Sequence, residues 1–226
     1  NVEIISDLAA ALYQLNKKLV EKIGKKKLPL FNINKRKKLR QLMITDLELS
    51  NYDNSFPMKP QRILCEVRKF MKKDDILLSD VGAHKMWVAR EYNCLEPNTC
   101  LISNGFCTMG FALPGSIGAK MAFPEKKIVS INGDAGFLMN VQELETAVRY
   151  NINIIVIVWL DGSYGLIKWK QEIEFDGKHS DLKFNNPNFD YLAKSFGLWG
   201  KELKSCDELL PALEEASNQK GPAIIG

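Results

Sequence analysis

The spacing of hydrophobic residues changes along the chain, and each change predicts a different element. Over Ile4–Ile23, apolar side chains recur every three or four positions, which predicts an amphipathic helix capped by Ser6 or Asp7. Its expected buried stripe is Leu8, Ala11, Leu12, Leu15 and Leu19. A similar pattern at Lys59–Lys72 predicts a helix with Pro60 in its first turn. Shorter apolar runs predict buried strands, namely Ile76–Asp80, Leu101–Ser103, the run that begins at Lys127, and Ile154–Leu160.

The segment between the last two strands predicts how they are connected. Asn140–Tyr150 has the length of one helix. Its inward face is expected to carry Val141, Leu144, Ala147 and Val148. A strand-helix-strand crossover of this kind makes the two strands parallel. Because Ile154–Leu160 is β-branched and free of charge, it is typical of a central strand covered on both faces. The prediction is an α/β fold, a parallel sheet with helices on both faces.

The rest of the chain predicts one main domain with an N-terminal appendage. Alternating elements continue to the C-terminal end, at Leu166–Glu174, Pro187–Phe196, Trp199–Leu203, Asp207–Asn218 and Pro222–Ile225. Gly24–Met58 is basic and then rich in Asn, Ser and Pro, which favours a linker. We therefore divide the chain into a helical remnant (1–23), a basic linker (24–58) and a main domain (59–226).

Basic residues concentrate near the N-terminus. The net charge is +4, yet residues 17–40 hold eleven Lys or Arg and one acid, Glu21. Such a patch suits nucleic acid or an acidic surface, but only Phe31 accompanies it as an aromatic platform. A solvated linker is therefore favoured over a nucleic-acid partner.

Apolar runs and cysteines bear on the compartment. No apolar run approaches the ~20 residues that a membrane span requires, so no membrane partner is expected. The five cysteines are scattered without a CxxC pair, which favours reduced thiols and a cytoplasmic protein over a disulfide framework or zinc site.

Two acids, Asp134 and Asp161, each follow a predicted strand. Neighbouring strands lie roughly 4.8 Å apart, so carboxylates at the carboxyl ends of two adjacent strands can meet on one ion. Mg²⁺ suits such oxygen ligands, because it binds them at roughly 2.1 Å and keeps phosphate oxygens and water in its shell. Gly133 and Gly136 would let the backbone bend beside a ligand. The alternative is that both acids are ordinary polar turn residues.

Three segments carry a family resemblance. Gly133–Gly136, followed at an interval by Asp161 and Ser163, resembles the metal and diphosphate signature of thiamine-diphosphate-dependent enzymes. Asp80–Trp87 and Ser103–Gly115 resemble segments of the acetolactate synthase large subunit and its relatives, in the same order. The resemblance covers roughly residues 60–226 and is to the C-terminal, pyrophosphate-binding domain. It implies a thiamine-diphosphate-binding fold.

The resemblance implies a set of site residues. Asp134 and Asp161 would bind Mg²⁺ through their side chains, and Ser163 through its backbone carbonyl. Met109 would force the bound cofactor into a V, although a Met in such a helix is more often core filler. The residues expected to bind the cofactor are Val81, Gly82, Ala83, His84, Cys107, Met109, Gly133, Ala135, Gly136, Gly165 and Leu166. Cys107 would act through its carbonyl, on the cofactor's amino group.

The chain departs from the family pattern in small ways. Leu160 stands where the first Asn of the usual Asn pair lies, and Ala135 replaces a common Gly. Neither change removes a ligand. Asp161 replaces the second Asn, which adds a negative charge and should tighten metal binding.

The resemblance also implies what the chain needs from outside. The glutamate that activates the cofactor belongs to the N-terminal pyrimidine-binding domain, of the same or a second subunit, and nothing in these residues resembles that domain. No catalytic residue is therefore expected in this chain, and the chain alone should be inactive. Residues 1–23 would be the end of a truncated central domain, and the assembly a homodimer or homotetramer.

The implied reaction decarboxylates a 2-keto acid, pyruvate, and condenses the acyl anion equivalent with a second 2-keto acid. Such an enzyme serves branched-chain amino acid biosynthesis. Other thiamine-diphosphate decarboxylases, carboligases or oxidases remain as alternatives, as does a catalytically silent domain of the same fold. FAD is compatible with the resemblance but leaves no signature in these residues.

Overall fold

A computed structural model describes residues 3–24, 33–50 and 52–226. The chain divides into two units, with the boundary between Ile44 and Thr45. The second unit contains the predicted main domain. Within the described ranges, no helix is both long and apolar enough to cross a lipid bilayer. The same ranges contain no disulfide bond.

Helix α1, Leu8–Ile23, confirms the first predicted helix and settles its cap. Asp7 caps it, because its side chain accepts a hydrogen bond from the Ala10 N–H at 3.0 Å. The predicted burial of its apolar stripe is wrong: even Leu19, the least exposed of its leucines, is 41% exposed. An amphipathic pattern identifies the face that suits a partner but does not supply one.

Helix α2, Ile33–Ser50, lies within the segment predicted to be a linker. Residues 33–50 contain no Gly or Pro and are rich in Lys, Arg and Leu, which favour helix even without an apolar face. Helix α2 has no pronounced apolar face, so amphipathic periodicity does not predict it. The run Lys25–Lys27 of the same basic segment lies outside the described residues. The division at residues 23 and 58 stays a prediction.

A parallel six-stranded sheet forms the centre of the second unit, which confirms the predicted fold class. Its strands are β1 Ile76–Ser79, β2 Cys100–Ile102, β3 Ile128–Gly133, β4 Ile155–Trp159, β5 Trp199–Lys201 and β6 Ala223–Ile225. The strand order is β2-β1-β3-β4-β6-β5, and every pair is parallel. Strands β3 and β4 are neighbours, as the crossover argument predicted.

Helices cover both faces of the sheet. They are α3 Pro60–Phe70, α4 Ala83–Glu91, α5 Ala112–Ala122, α6 Asp134–Met139, α7 Glu143–Arg149, α8 Gly165–Glu174, α9 Phe189–Ser195 and α10 Leu209–Ser217, with a 3₁₀ turn at Cys206–Glu208. Leu77 of β1 lies in one core layer with Val67 of α3. Its neighbour Leu78 lies in the other layer, with Leu113 of α5 and Phe137 of α6. Because both faces are buried, strands β4 and β6 are apolar at every position.

The connection from β3 to β4 differs from the predicted single helix. The small-residue turn expected at 133–136 is already helical, since α6 begins at Asp134 directly after the strand. Residues 140–142 then separate α6 from α7. The amide Nδ2 of Asn140 donates to the Gly110 carbonyl at 2.7 Å, a tertiary contact that periodicity does not reveal. Leu144 and Ala147 are buried as predicted, whereas Val148 is only half-buried.

The strand order creates a crevice beside β1. From β1 the chain continues to β2 on one side, and then returns to β3 on the other side of β1. In open parallel sheets, ligands bind outside the carboxyl ends of strands at such a reversal. Here that edge receives the residues that follow β1, β3 and β4.

Truncation of a core side chain should distinguish this packing from the exposed surface. We expect Leu144→Ala, at a fully buried position, to lower the free energy of unfolding by ~2–5 kcal/mol through lost burial and a residual cavity. Leu95→Ala, at an exposed loop position, should change it by less than ~0.5 kcal/mol. Urea unfolding of both variants is the measurement, and similar losses for the two would contradict the core assignment.

Candidate cofactor and metal site

A pocket of about 310 Å³ lies at the carboxyl edge of the sheet, at the reversal of strand order beside β1. Among the residues predicted to bind cofactor or metal, those that line it are Val81, Gly82, Ala83, His84, Met109, Gly133, Asp134, Ala135, Gly136, Asp161, Ser163, Gly165 and Leu166. The two acids and Met109 therefore share one pocket. Residues from four segments meet there, which only the parallel sheet brings together.

Cys107 lies apart from that lining. It is exposed, its backbone has φ of 51°, and its Sγ accepts a hydrogen bond from Lys85 Nζ at 3.4 Å. Trp169 of α8 is also exposed and outside the lining, whereas Leu166 of the same helix contributes to it. The role expected of Cys107 depends on its backbone carbonyl and stays a prediction.

Asp134 is the buried centre of the site, with 1% of its surface exposed. Its Oδ2 accepts hydrogen bonds from the backbone N–H groups of Asp161 at 3.1 Å and Gly162 at 2.7 Å. The same oxygen accepts from Asn186 Nδ2 at 2.6 Å. Its Oδ1 accepts from the N–H of the next residue, Ala135, at 2.8 Å. The carboxylate thus joins the end of β3 to the loop that follows β4.

Asp161 supplies the second carboxylate, at the exposed rim of the pocket. Its Oδ1 accepts from the Ser163 N–H at 3.0 Å, which shapes the turn that carries both residues. The partial burial of Asp161, and then the negative charge of Asp134, raise the pKa of its carboxyl group. A divalent cation between the two carboxylates would offset the repulsion that Asp134 exerts on Asp161.

The donor set fits Mg²⁺ shared with an oxygen-rich ligand. Nowhere in the described ranges do three or more His, Cys, Asp or Glu side chains form a metal-binding group. A cation at Asp134 and Asp161 would therefore need further oxygens from backbone, water or ligand. Mg²⁺ is commonly bound in this way, by one or two carboxylates together with phosphate oxygens and water.

Two glycines keep space in the site, and this corrects the reason we expected for them. Gly133 has φ −80° and ψ 153°, which any residue can adopt, and Gly136 is helical within α6. Neither provides a special bend. A Cβ at Gly136 would instead lie 2.1 Å from Asp80 Oδ2, and one at Gly133 would lie 3.2 Å from His84 Nδ1. The absent side chains make room for Asp80 and His84 around the pocket.

His84 lies in the first turn of α4 and lines the pocket, and only 4% of its surface is exposed. Its ring lies edge-on to Trp159, with centroids 6.0 Å apart. Burial lowers the pKa of His84 from 6.5 to about 4. Its Nε2 is buried without a hydrogen-bond partner. A buried nitrogen that lines a pocket and has no protein partner could form a hydrogen bond with a polar group of a ligand.

Sequence reasoning missed three polar residues that support the site. Asp80, fully buried, accepts from the N–H of Gly110 at 3.0 Å and of Phe111 at 2.9 Å, directly after Met109. Burial raises the pKa of Asp80, and these N–H donors oppose the shift. Its position at the end of β1 matches that of Asp134 at the end of β3, so strand ends could have revealed it. Asn140 and Asn186 had no comparable local signal.

The sheet, its crevice and the paired carboxylates define a cofactor-binding α/β protein of the parallel, doubly covered type. Residues 80–226 match the C-terminal TPP binding domain of thiamine pyrophosphate enzymes. The chain belongs to this family.

Curated relatives of the chain are acetolactate synthases. The catabolic acetolactate synthase of Raoultella terrigena is 32% identical over 225 residues, which are 100% of this chain and 40% of that protein. The acetolactate synthase of Bacillus subtilis (strain 168) is 39% identical over 166 residues, 74% of this chain and 29% of that protein. The probable acetolactate synthase large subunit of Methanococcus aeolicus is 34% identical over 200 residues, which are 86% of this chain and 32% of that protein. The chain thus spans well under half the length of these relatives.

A solved structure has the same fold. The thiamine diphosphate-dependent 4-hydroxybenzoylformate decarboxylase of Rhodococcus jostii RHA1 matches with a TM-score of 0.70, over 74% of this chain and 32% of that one. Its sequence identity is 21%, so this likeness supports the fold alone.

The buried His84 should give stability a specific pH dependence. The unfolded chain binds the His84 proton near pH 6.5 and the folded chain only near pH 4, so protonation favours unfolding. The contribution of neutral His84 is complete above about pH 6.5 and is lost as the pH falls toward 4. We expect wild type to lose ~2 kcal/mol more than His84→Gln between pH 7 and pH 5 in urea unfolding. Parallel pH profiles for the two proteins would contradict this.

Proposed function

We propose that the pocket binds thiamine diphosphate together with Mg²⁺, and that the chain is the diphosphate-binding part of an acetolactate synthase-type enzyme. The observation that carries this proposal is that one pocket holds both strand-end carboxylates and Met109. Family membership supports the cofactor, since residues 80–226 match a TPP binding domain.

The metal would be held at the β3 and β4 ends of the pocket. Asp134 and Asp161 would provide carboxylate oxygens, and Ser163 its backbone carbonyl. The hydrogen bond from the Ser163 N–H to Asp161 supports this pairing, because it holds the two residues in one turn. The cation would neutralise diphosphate charge that two aspartates alone would repel.

The cofactor would be held by backbone donors and by shape. The Gly82–His84 segment, at the start of α4, and the N–H group of Gly136 would face the diphosphate. Ala135 would contribute to the pocket wall, because its own N–H donates to Asp134 Oδ1. Met109 would support the rings, since Asp80 fixes the two residues that follow it. Val81, Gly133, Gly165 and Leu166 complete the wall. When bound, the cofactor supplies the electron sink for decarboxylation, and the protein contributes orientation and exclusion of water.

The complete enzyme would act on pyruvate and condense the product with a second 2-keto acid. The relatives named acetolactate synthase support this reaction. A pyrimidine-binding domain, of the same or a second subunit, would bring the activating glutamate, in a cytoplasmic homodimer or homotetramer. FAD and a role in branched-chain amino acid biosynthesis belong to the same proposal, as does the absence of nucleic-acid and membrane partners.

Calorimetry tests cofactor binding directly. We expect the 226-residue chain to bind thiamine diphosphate more tightly with Mg²⁺ than without it. Asp134→Asn keeps the side-chain size but removes the charge, so the Mg²⁺-dependent gain should fall by at least about tenfold, or ~1.4 kcal/mol. The matched control is Asp74→Asn, an exposed residue before β1 at the opposite edge of the sheet, which should bind as wild type. Metal-independent binding, or equal binding by Asp134→Asn, would favour a silent domain of this fold.

Activity of the isolated chain provides a separate test. We expect no release of CO₂ from pyruvate above the buffer control, even with saturating cofactor and Mg²⁺, because the activating glutamate would come from another domain. A coupled CO₂ assay measures this. Turnover by the chain alone would refute the shared-site proposal, whatever the calorimetry shows.

A further inference from the structure

We infer that Asn186 is a positioning residue for the metal site, whose amide holds one oxygen of Asp134 and leaves the other to the cation. This inference rests on the proposed function, because it assigns a role within the same site. Asn186 lies 52 positions after Asp134, outside every segment that resembles a family motif.

The two oxygens of Asp134 have different surroundings. Oδ2 accepts three hydrogen bonds, two from backbone N–H groups of Asp161 and Gly162 and one from the side chain of Asn186. Oδ1 accepts from the N–H of the adjacent Ala135. A carboxylate oxygen with three donors has little capacity left for a cation. We therefore assign Oδ1 as the metal-binding oxygen, with single-oxygen coordination by this residue.

The amide orientation of Asn186 follows from charge. Its Nδ2 lies 2.6 Å from Asp134 Oδ2, and its Oδ1 is buried without a hydrogen-bond partner. A flipped amide would place its oxygen against a carboxylate oxygen at that distance, which is repulsive. A hydrogen bond to a charged acceptor is roughly twice as strong as a neutral one, and this offsets the cost of the unsatisfied carbonyl.

Asn186 is fixed from both sides along its own segment. Upstream, Phe184 N–H donates to the Gly162 carbonyl at 3.1 Å, so the segment pairs with the loop that carries Asp161. Downstream, the buried Phe189 packs on Phe137 of α6, with ring centroids 5.7 Å apart. Helix α6 itself begins at Asp134. Asn186 is thus held between the two elements whose carboxylates would bind the metal.

This geometry predicts an effect on the metal rather than on the cofactor alone. Partners that orient a metal-binding residue typically contribute about 10- to 100-fold to metal affinity. Without the Asn186 donor, fewer hydrogen bonds would hold the Asp134 carboxylate. The carboxylate could then rotate, and Oδ1 would no longer be fixed for the cation. Binding of thiamine diphosphate without metal should not depend on this orientation.

The experiment measures the Mg²⁺ concentration that half-saturates thiamine diphosphate binding, by calorimetry on the 226-residue chain. For Asn186→Ala we expect this concentration to rise about 10- to 100-fold, with metal-free binding within about twofold of wild type. The matched control is Asn188→Ala, two positions on, which removes the α9 cap bond to Tyr191 N–H at 2.9 Å. It should lower thermal stability, as caps do, and leave the Mg²⁺ requirement unchanged.

A second variant covers the case in which Asn186→Ala does not fold. Asn186→Asp keeps the shape but replaces the donor with an acceptor, so the Mg²⁺ requirement should again rise. Tighter Mg²⁺ binding by Asn186→Asp would mean that this position binds the cation directly, and would overturn the inference. A wild-type requirement in both variants would also overturn it, while the proposed function stands. If wild type shows no Mg²⁺-dependent binding, the proposed function itself fails.

Discussion

The site depends on the hydrogen bonds that the buried carboxylate of Asp134 accepts. One of its oxygens collects N–H donors from the loop after β4 and from the segment before α9. A carboxylate buried without donors would be strongly unfavourable, so each of these segments must lie where it does for the fold to tolerate the charge. In the proposed metal site, the same bonds that stabilise the buried oxygen would also orient the carboxylate toward the cation.

The sheet makes this arrangement achievable. Parallel strands deliver Asp80, Asp134 and Asp161 to one edge, but the three acids have different tasks. Asp80 holds the turn after Met109 through two backbone N–H groups. Asp134 is buried and heavily hydrogen-bonded, whereas Asp161 remains at the exposed rim. The three carboxylates are the same residue type but differ in burial and in the hydrogen-bond donors that they contact.

Sequence periodicity predicted elements well where one local rule dominated. The charge-free run before Asp161 became the central strand β4, and the Asp7 cap and the α8 helix appear where expected. It failed where a distant contact intervened. Asn140, the residue after α6, donates its amide to the Gly110 carbonyl, 30 positions away. Helix α2 lacks the apolar face by which periodicity identifies a helix.

By itself, the sequence determined the fold class, the parallel pairing of the two strands that end at Asp134 and Asp161, and the two acids at those strand ends, because these depend on hydrophobic runs and short spacings. Only the tertiary structure decided that Asn186 contacts Asp134, that Gly136 provides space instead of a bend, and that Cys107 lies outside the pocket lining. These facts depend on which segments pack together over many intervening residues. Local patterns carry no information on such contacts, since the free energy that selects them comes from burial and pairing in the folded chain.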